Sequence, residues 1–141
     1  MFDCYNTDRL IAWKDFRDTL ETSDTPFEDV ASFWSRAPFV SPYLNPTDPN
    51  SWPDPWHLVL DSKLDELAII LGMLYTIKLT NRFRDTNCEI HSTILLKEKL
   101  PLYLLIIDNQ QILNLEYRSV VAVNSRPELQ TSLLWVGTNF Q

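Results

Sequence analysis

Residues 52–80 read WPDPWHLVLDSKLDELAIILGMLYTIKLT, and the reading of this stretch decides the fold. From Leu64 the apolar residues fall at 64, 67, 68, 71, 74 and 75, the spacing of one helix face. Ile69, Ile70, Met73 and Ile77 fill most of the remaining circumference, which predicts a central helix wrapped by the rest of the domain. Ser62 is the expected cap, and Asp65 and Glu66 place negative charge in the first turn, where the helix dipole favours it. A segment of about 17 residues with charges at its start and Lys78 near its end reads as a core helix rather than a membrane span.

Upstream, residues 7–21 read as an amphipathic helix with Leu10, Ile11, Trp13, Phe16 and Leu20 inward and Thr7 or Asp8 as cap. Thr25-Pro26 opens a second helix that carries Val30, Phe33 and Trp34 and stops near Arg36. Residues 37–55 hold six of the nine prolines and predict an extended, semi-rigid loop held down by Phe39, Tyr43, Trp52 and Trp56. Such a belt either covers the core or forms the lip of a cleft.

Downstream, polar residues 80–87 turn the chain, and five strands follow at 89–97, 101–107, 112–116, 119–123 and 132–137. Helices first and antiparallel strands after make an α+β domain with the central helix packed on the sheet. One domain is expected over 1–141, with N-terminal helices at 1–36, the belt at 37–56, and the helix-plus-sheet core at 57–141.

Composition narrows the function classes. Two glycines exclude a glycine-rich phosphate loop, and a formal charge of −7 argues against nucleic acid as a partner. Cys4 and Cys88 are too few for a disulfide framework and lie in no CxxC pattern. The acidic, mixed N-terminus is neither a secretory signal nor a transit peptide. Two histidines without spaced carboxylate partners make a poor zinc constellation, so no metal and no cofactor are expected. His57 reads as a partly buried ring bonded to backbone.

One candidate site comes from strand geometry. A hairpin turn centred near residue 98 or 99 would set His91 opposite residues 106–108, beside Asp108. A carboxylate next to an imidazole fixes its tautomer and raises its basicity, although such a pair is commonly structural.

Taken in order, the chain has Trp52-Pro53-Asp54-Pro55, then Ser62-Lys63-Leu64-Asp65-Glu66-Leu67-Ala68-Ile69. It continues with His91-Ser92-Thr93-Ile94-Leu95-Leu96 and Tyr103-Leu104-Leu105-Ile106-Ile107-Asp108-Asn109. Over residues 52–115 this order resembles the transglutaminase-like (papain-like) cysteine hydrolases of bacteria and phages. That family carries a Trp-x-x-Pro entry, a Gly-Asp-Cys-x-Asp-Leu-Ala-Ile helix start, a His opening a strand, and an Asp-Asn after the next strand. The N-terminal 50 residues resemble small proteins of tailed phages that infect cyanobacteria.

The resemblance implies a triad at Leu64, His91 and Asp108, and Leu64 departs from it. The family's nucleophilic cysteine falls on that leucine, which no pKa adjustment makes a nucleophile. His91 and Asp108 would then be vestigial. A substitute is poorly placed: Cys88 lies three residues from His91, on the opposite strand face and about 10 Å away. Ser62 is better used as a cap, and the sequence leaves Cys4 unconstrained.

These readings predict a non-catalytic, transglutaminase-like module, a virion or assembly part of a phage held by protein–protein contacts. Its partners would be other phage structural proteins or itself, in the virion or the infected-host cytoplasm, with no nucleic acid and no membrane. Phe39, Tyr43, Trp52, Trp56, Trp135 and Phe140 are the interface candidates. The alternatives are an active cysteine or serine hydrolase or transferase with a relocated nucleophile, and a small acidic effector that binds a host protein.

Overall fold

The computed structural model describes residues 1–38, 40–61, 64–95, 100–114, 120–123 and 131–137. Among the described residues, four α-helices precede an antiparallel sheet: α1 (Thr7–Leu20), α2 (Pro26–Trp34), α3 (Pro55–Leu60) and α4 (Glu66–Lys78). A 3₁₀ turn, Pro49–Ser51, interrupts the belt. The strands are β1 (Cys88–Leu95), β2 (Leu100–Ile107), β3 (Gln111–Leu113), β4 (Val120–Ala122) and β5 (Ser132–Gly137), ordered β4-β3-β2-β1-β5 across the sheet. The mixed α+β architecture and the five strands agree with the sequence reading.

The central helix is wrapped as its composition requires. Every α4 residue from Leu67 to Lys78 except Ile69 is buried. It begins two residues later than the apolar pattern suggests. Asp65, not Ser62, caps it, accepting the Ala68 N–H at 2.8 Å; Ser62 lies outside the described residues. Leu64 precedes the helix in an extended bridge with the belt: its N–H donates to Pro38 O, and its carbonyl accepts from Val40 N–H, both at 3.1 Å.

Helices α1 and α2 meet α4 at one buried hydroxyl. Thr76 Oγ1 accepts Trp13 Nε1–H and Trp34 Nε1–H, each at 2.9 Å, and donates to Gly72 O at 2.6 Å. Gly72 is glycine because the Trp34 ring occupies the space a Cβ would need. In α1 the inward face differs from expectation: Arg9, Trp13 and Leu20 are buried, and Ile11 is exposed. Ile11 lies two residues from Trp13, about 200° around the helix, so packing Trp13 inward turns Ile11 out.

Helix α3 follows the expected extended loop, overlapping it only at Pro55, in a stretch where no helix is expected before the central one. Asp54 starts it, with a carboxylate that accepts the His57 N–H at 2.8 Å, and Pro55 opens its first turn.

The β1–β2 register runs from Cys88 opposite Ile107 to Leu95 opposite Leu100, which puts His91 opposite Leu104. Cys88, Ile90, Leu105, Ile107 and Leu113 point toward α4 and join the core of Leu64, Leu67, Leu71 and Leu74. Leu104 and Ile112 alternate to the other face and are buried there.

Candidate functional site

The structure does not bring Leu64, His91 and Asp108 together. Leu64 is buried in the core on the α4 side of the sheet, where Ile90 also points. His91 is the next residue in an alternating strand and faces the other side. The sheet therefore separates the two positions.

The expected His91–Asp108 pair fails on register. The hairpin turns earlier than expected, so Leu104 rather than residue 106, 107 or 108 lies opposite His91. Asp108 sits four positions further along, about 13 Å by strand rise. It answers Asn87 instead: its N–H donates to Asn87 O at 2.8 Å, and its carboxylate accepts Asn87 N–H at 3.1 Å. Asp108 and Asn109 have φ of 52° and 57°, with Gln110 N–H closing on Ile107 O at 2.9 Å. Two successive left-handed residues make a type I′ turn, which Asp and Asn tolerate better than other non-glycine residues. The Asp-Asn dipeptide builds a hairpin here.

His91 is held by a different neighbour. Its Nδ1 lies 2.7 Å from Thr131 Oγ1, and its Nε2 lies 3.7 Å from the Glu89 carboxylate without a hydrogen-bond partner. Cys88 is fully buried on the α4 side, and burial pushes its thiol up to about 12. A thiol in that state is inert near neutrality. Cys4 is half-buried, 4.0 Å from the neighbouring Asp3 carboxylate.

What occupies the start of α4 is a polar cluster with other work. Asp65 Oδ2 accepts Tyr43 N–H at 2.8 Å and Leu44 N–H at 2.9 Å, while Oδ1 caps the helix. One buried carboxylate thus ties the belt to the central helix. Beside it, Glu66 Oε1 accepts Asn114 Nδ2–H at 3.1 Å and Tyr103 N–H at 3.4 Å, and Asn114 also donates to Tyr103 O at 3.0 Å. Burial raises the Glu66 pKa, the two hydrogen bonds counter it in part, and the charge of Asp65 adds to the rise. Asn114 has φ of 73°, so its side chain turns back onto the cluster from the end of β3.

The aromatic candidates divide by exposure. Tyr43 is 50% exposed and Trp56 49%, and the aliphatic Leu60 is 43% exposed. Trp56 and Leu60 lie one turn apart on the same face of α3. The Tyr43 hydroxyl reaches Asp61, which follows Leu60, at 3.5 Å. The Tyr43 hydroxyl therefore lies at the C-terminal end of α3, the helix that carries Trp56 and Leu60. The Trp56 ring rests edge-on against buried Trp13, with centroids 5.8 Å apart. Trp52 instead packs against the core and donates Nε1–H to Asn45 O at 2.8 Å. Trp135 is partly buried on the α4 side, opposite Ile90, with its ring over Gly137. Phe39 and Phe140 lie outside the described residues. As a belt, residues 40–54 cover the core and carry Tyr43 outward.

Two polar features were not anticipated. His57 is exposed rather than partly buried, and its Nδ1 lies 2.7 Å from Asp54 Oδ2. The Asp-Pro-x-His spacing of a capped first turn could have indicated it. Such a pair orients an imidazole, yet among the described residues no hydroxyl or thiol is bonded to that ring. Arg9 is 5% exposed, and its Nε and Nη2 have no hydrogen-bond partner. Burial lowers its pKa, and the charge of Asp61 partly offsets this. Its position four residues before Trp13 was the available signal. Among the described residues no three His, Cys, Asp or Glu side chains gather into a metal-binding group, and no helix is long and apolar enough to cross a membrane.

No protein family, curated protein or solved structure matches this chain.

Proposed function

We propose that this chain acts by contact rather than by catalysis, as a binding module whose working surface is Tyr43, Trp56 and Leu60. The observation that carries this reading is the preorganisation of that exposed set. Asp65 fixes the backbone of Tyr43, Trp13 supports Trp56, and Leu60 follows one turn later on the same helix. Rigid, half-exposed aromatics lose little entropy on binding, and such residues dominate interface energetics. Asp54 and Asp61 flank the patch, so the fitting partner is a protein offering an apolar knob ringed by Lys or Arg. The dispersal of Leu64, His91 and Asp108 is consistent with a module that has no hydrolytic role.

The setting suggested by the sequence resemblance is a tailed-phage particle or its assembly, with other structural proteins or a second copy as partner. A transglutaminase-like ancestry belongs to the same proposal. The test is binding of the full chain to proteins from purified particles. Trp56→Ala and Leu60→Ala should each weaken binding at least tenfold, about 1.4 kcal/mol, with unchanged circular dichroism; Leu60→Ala should melt near wild type, and Trp56→Ala lower because its ring packs on Trp13. Variants that bind as wild type would remove this surface from the account. Retention of host proteins alone would favour a host-directed effector.

A further inference from the structure

Strand β5 closes one edge of the sheet, and among the described residues its ladder partner is β1 alone. Its sequence, SLLWVG, contains no charge and no proline, the residues that commonly protect an exposed edge. The register against β1 skips Leu134: Ile90 faces Trp135, and His91 faces Leu133. Leu133 and Val136 are three residues apart and would ordinarily point to opposite faces. The skipped residue brings both to the face that carries Glu89 and His91, because Val136 lies opposite Glu89. There they stand 52% and 51% exposed.

This bulge also makes the strand symmetric about its centre. On either side of the Leu134-Trp135 pair comes one apolar residue on the far face, then a small residue, Ser132 or Gly137. We propose that β5 pairs antiparallel with β5 of a second copy, about a twofold axis through Leu134-Trp135. Leu133 of each chain then lies across from Val136 of the other, and two five-stranded sheets become one of ten. A second copy fits because the pattern is its own complement: apolar meets apolar twice, small meets small twice, and no charge is buried. An unrelated strand would have to reproduce the same bulged pattern to match it. This inference uses none of the residues of the Tyr43–Trp56–Leu60 surface and can fail without it.

Sedimentation equilibrium of the full chain tests it, together with the Leu133→Lys/Val136→Lys double variant. Wild type should dimerise, and the double variant should weaken dimerisation at least tenfold with unchanged circular dichroism. A second measurement fixes the register in a Cys4→Ser background. A mixture of Leu133→Cys chains with Val136→Cys chains should form an intermolecular disulfide on mild oxidation, far more than either alone. In the proposed pairing, like positions sit on the diagonal, about 7–8 Å apart, at or beyond disulfide reach. A monomeric wild type, an undiminished dimer in the double variant, or cross-linking that favours like positions would each overturn the proposal.

Discussion

Two charged residues, buried Arg9 and partly buried Glu66, carry the most unusual local energetics. Arg9 holds its guanidinium 5.9 Å from the Phe2 ring centroid, with two nitrogens unpaired in the interior. Leaving buried donors unsatisfied costs about 1–3 kcal/mol, and an apolar side chain of similar length avoids that cost. Arg9→Met is therefore expected to raise stability by about 1 kcal/mol in urea titration; a comparable loss would show that Arg9 is paired in solution. Glu66 gives a pH signature. Its folded pKa lies above the ordinary 4.5, so the folded state holds the extra proton. Its contribution to stability is fully present below pH 4.5 and is lost as pH rises through the folded value. Glu66→Gln keeps the acceptor for Asn114 and Tyr103 and removes the titration. The variant should melt progressively higher than wild type as pH goes from 4 to 7, and parallel profiles would contradict the assignment.

Among the elements, α4 organises the rest through its length and through one hydroxyl. Thr76→Val preserves shape and strands the Nε1–H groups of Trp13 and Trp34 in the core. The expected cost is about 2–4 kcal/mol in denaturant midpoint analysis, larger than for Thr76→Ser, which keeps the acceptor. Equal losses in the two variants would mean that packing, not the shared hydrogen bonds, joins α1 and α2 to α4. The existence and type of α1, α2, α4 and the strands were legible in the sequence because apolar spacing states them directly. The inward face of α1 was half legible: spacing identified Trp13 and Leu20, but hydrophobicity alone favoured Ile11 over Arg9. Helix α3 was hidden by Pro55, which reads as the end of the loop and in fact opens a short helix. The candidate site was least legible. Residue order along the chain suggested a triad, whereas its assembly depended on hairpin register, which turn length sets and sequence spacing leaves open by two to four residues.

At the scale of the molecule, a helical layer, a tied belt and a sheet enclose a core that leaves chemistry-bearing groups dispersed. Leu64 lies with the core, His91 lies on the far face with Thr131 and Glu89, and Asp108 lies in a turn with Asn87. Tyr43 and Trp56 are half-exposed yet tied to the fold, Tyr43 through Asp65 and Trp56 on Trp13, which is the basis for a contact function. The most direct test places a photo-reactive benzoylphenylalanine at position 56 of the full chain and irradiates it in the cells that produce the protein. The account predicts a discrete adduct with one protein, lost when Tyr43→Ser and Leu60→Asp are introduced. No adduct, or one that survives those substitutions, would contradict a partner-binding role for this surface.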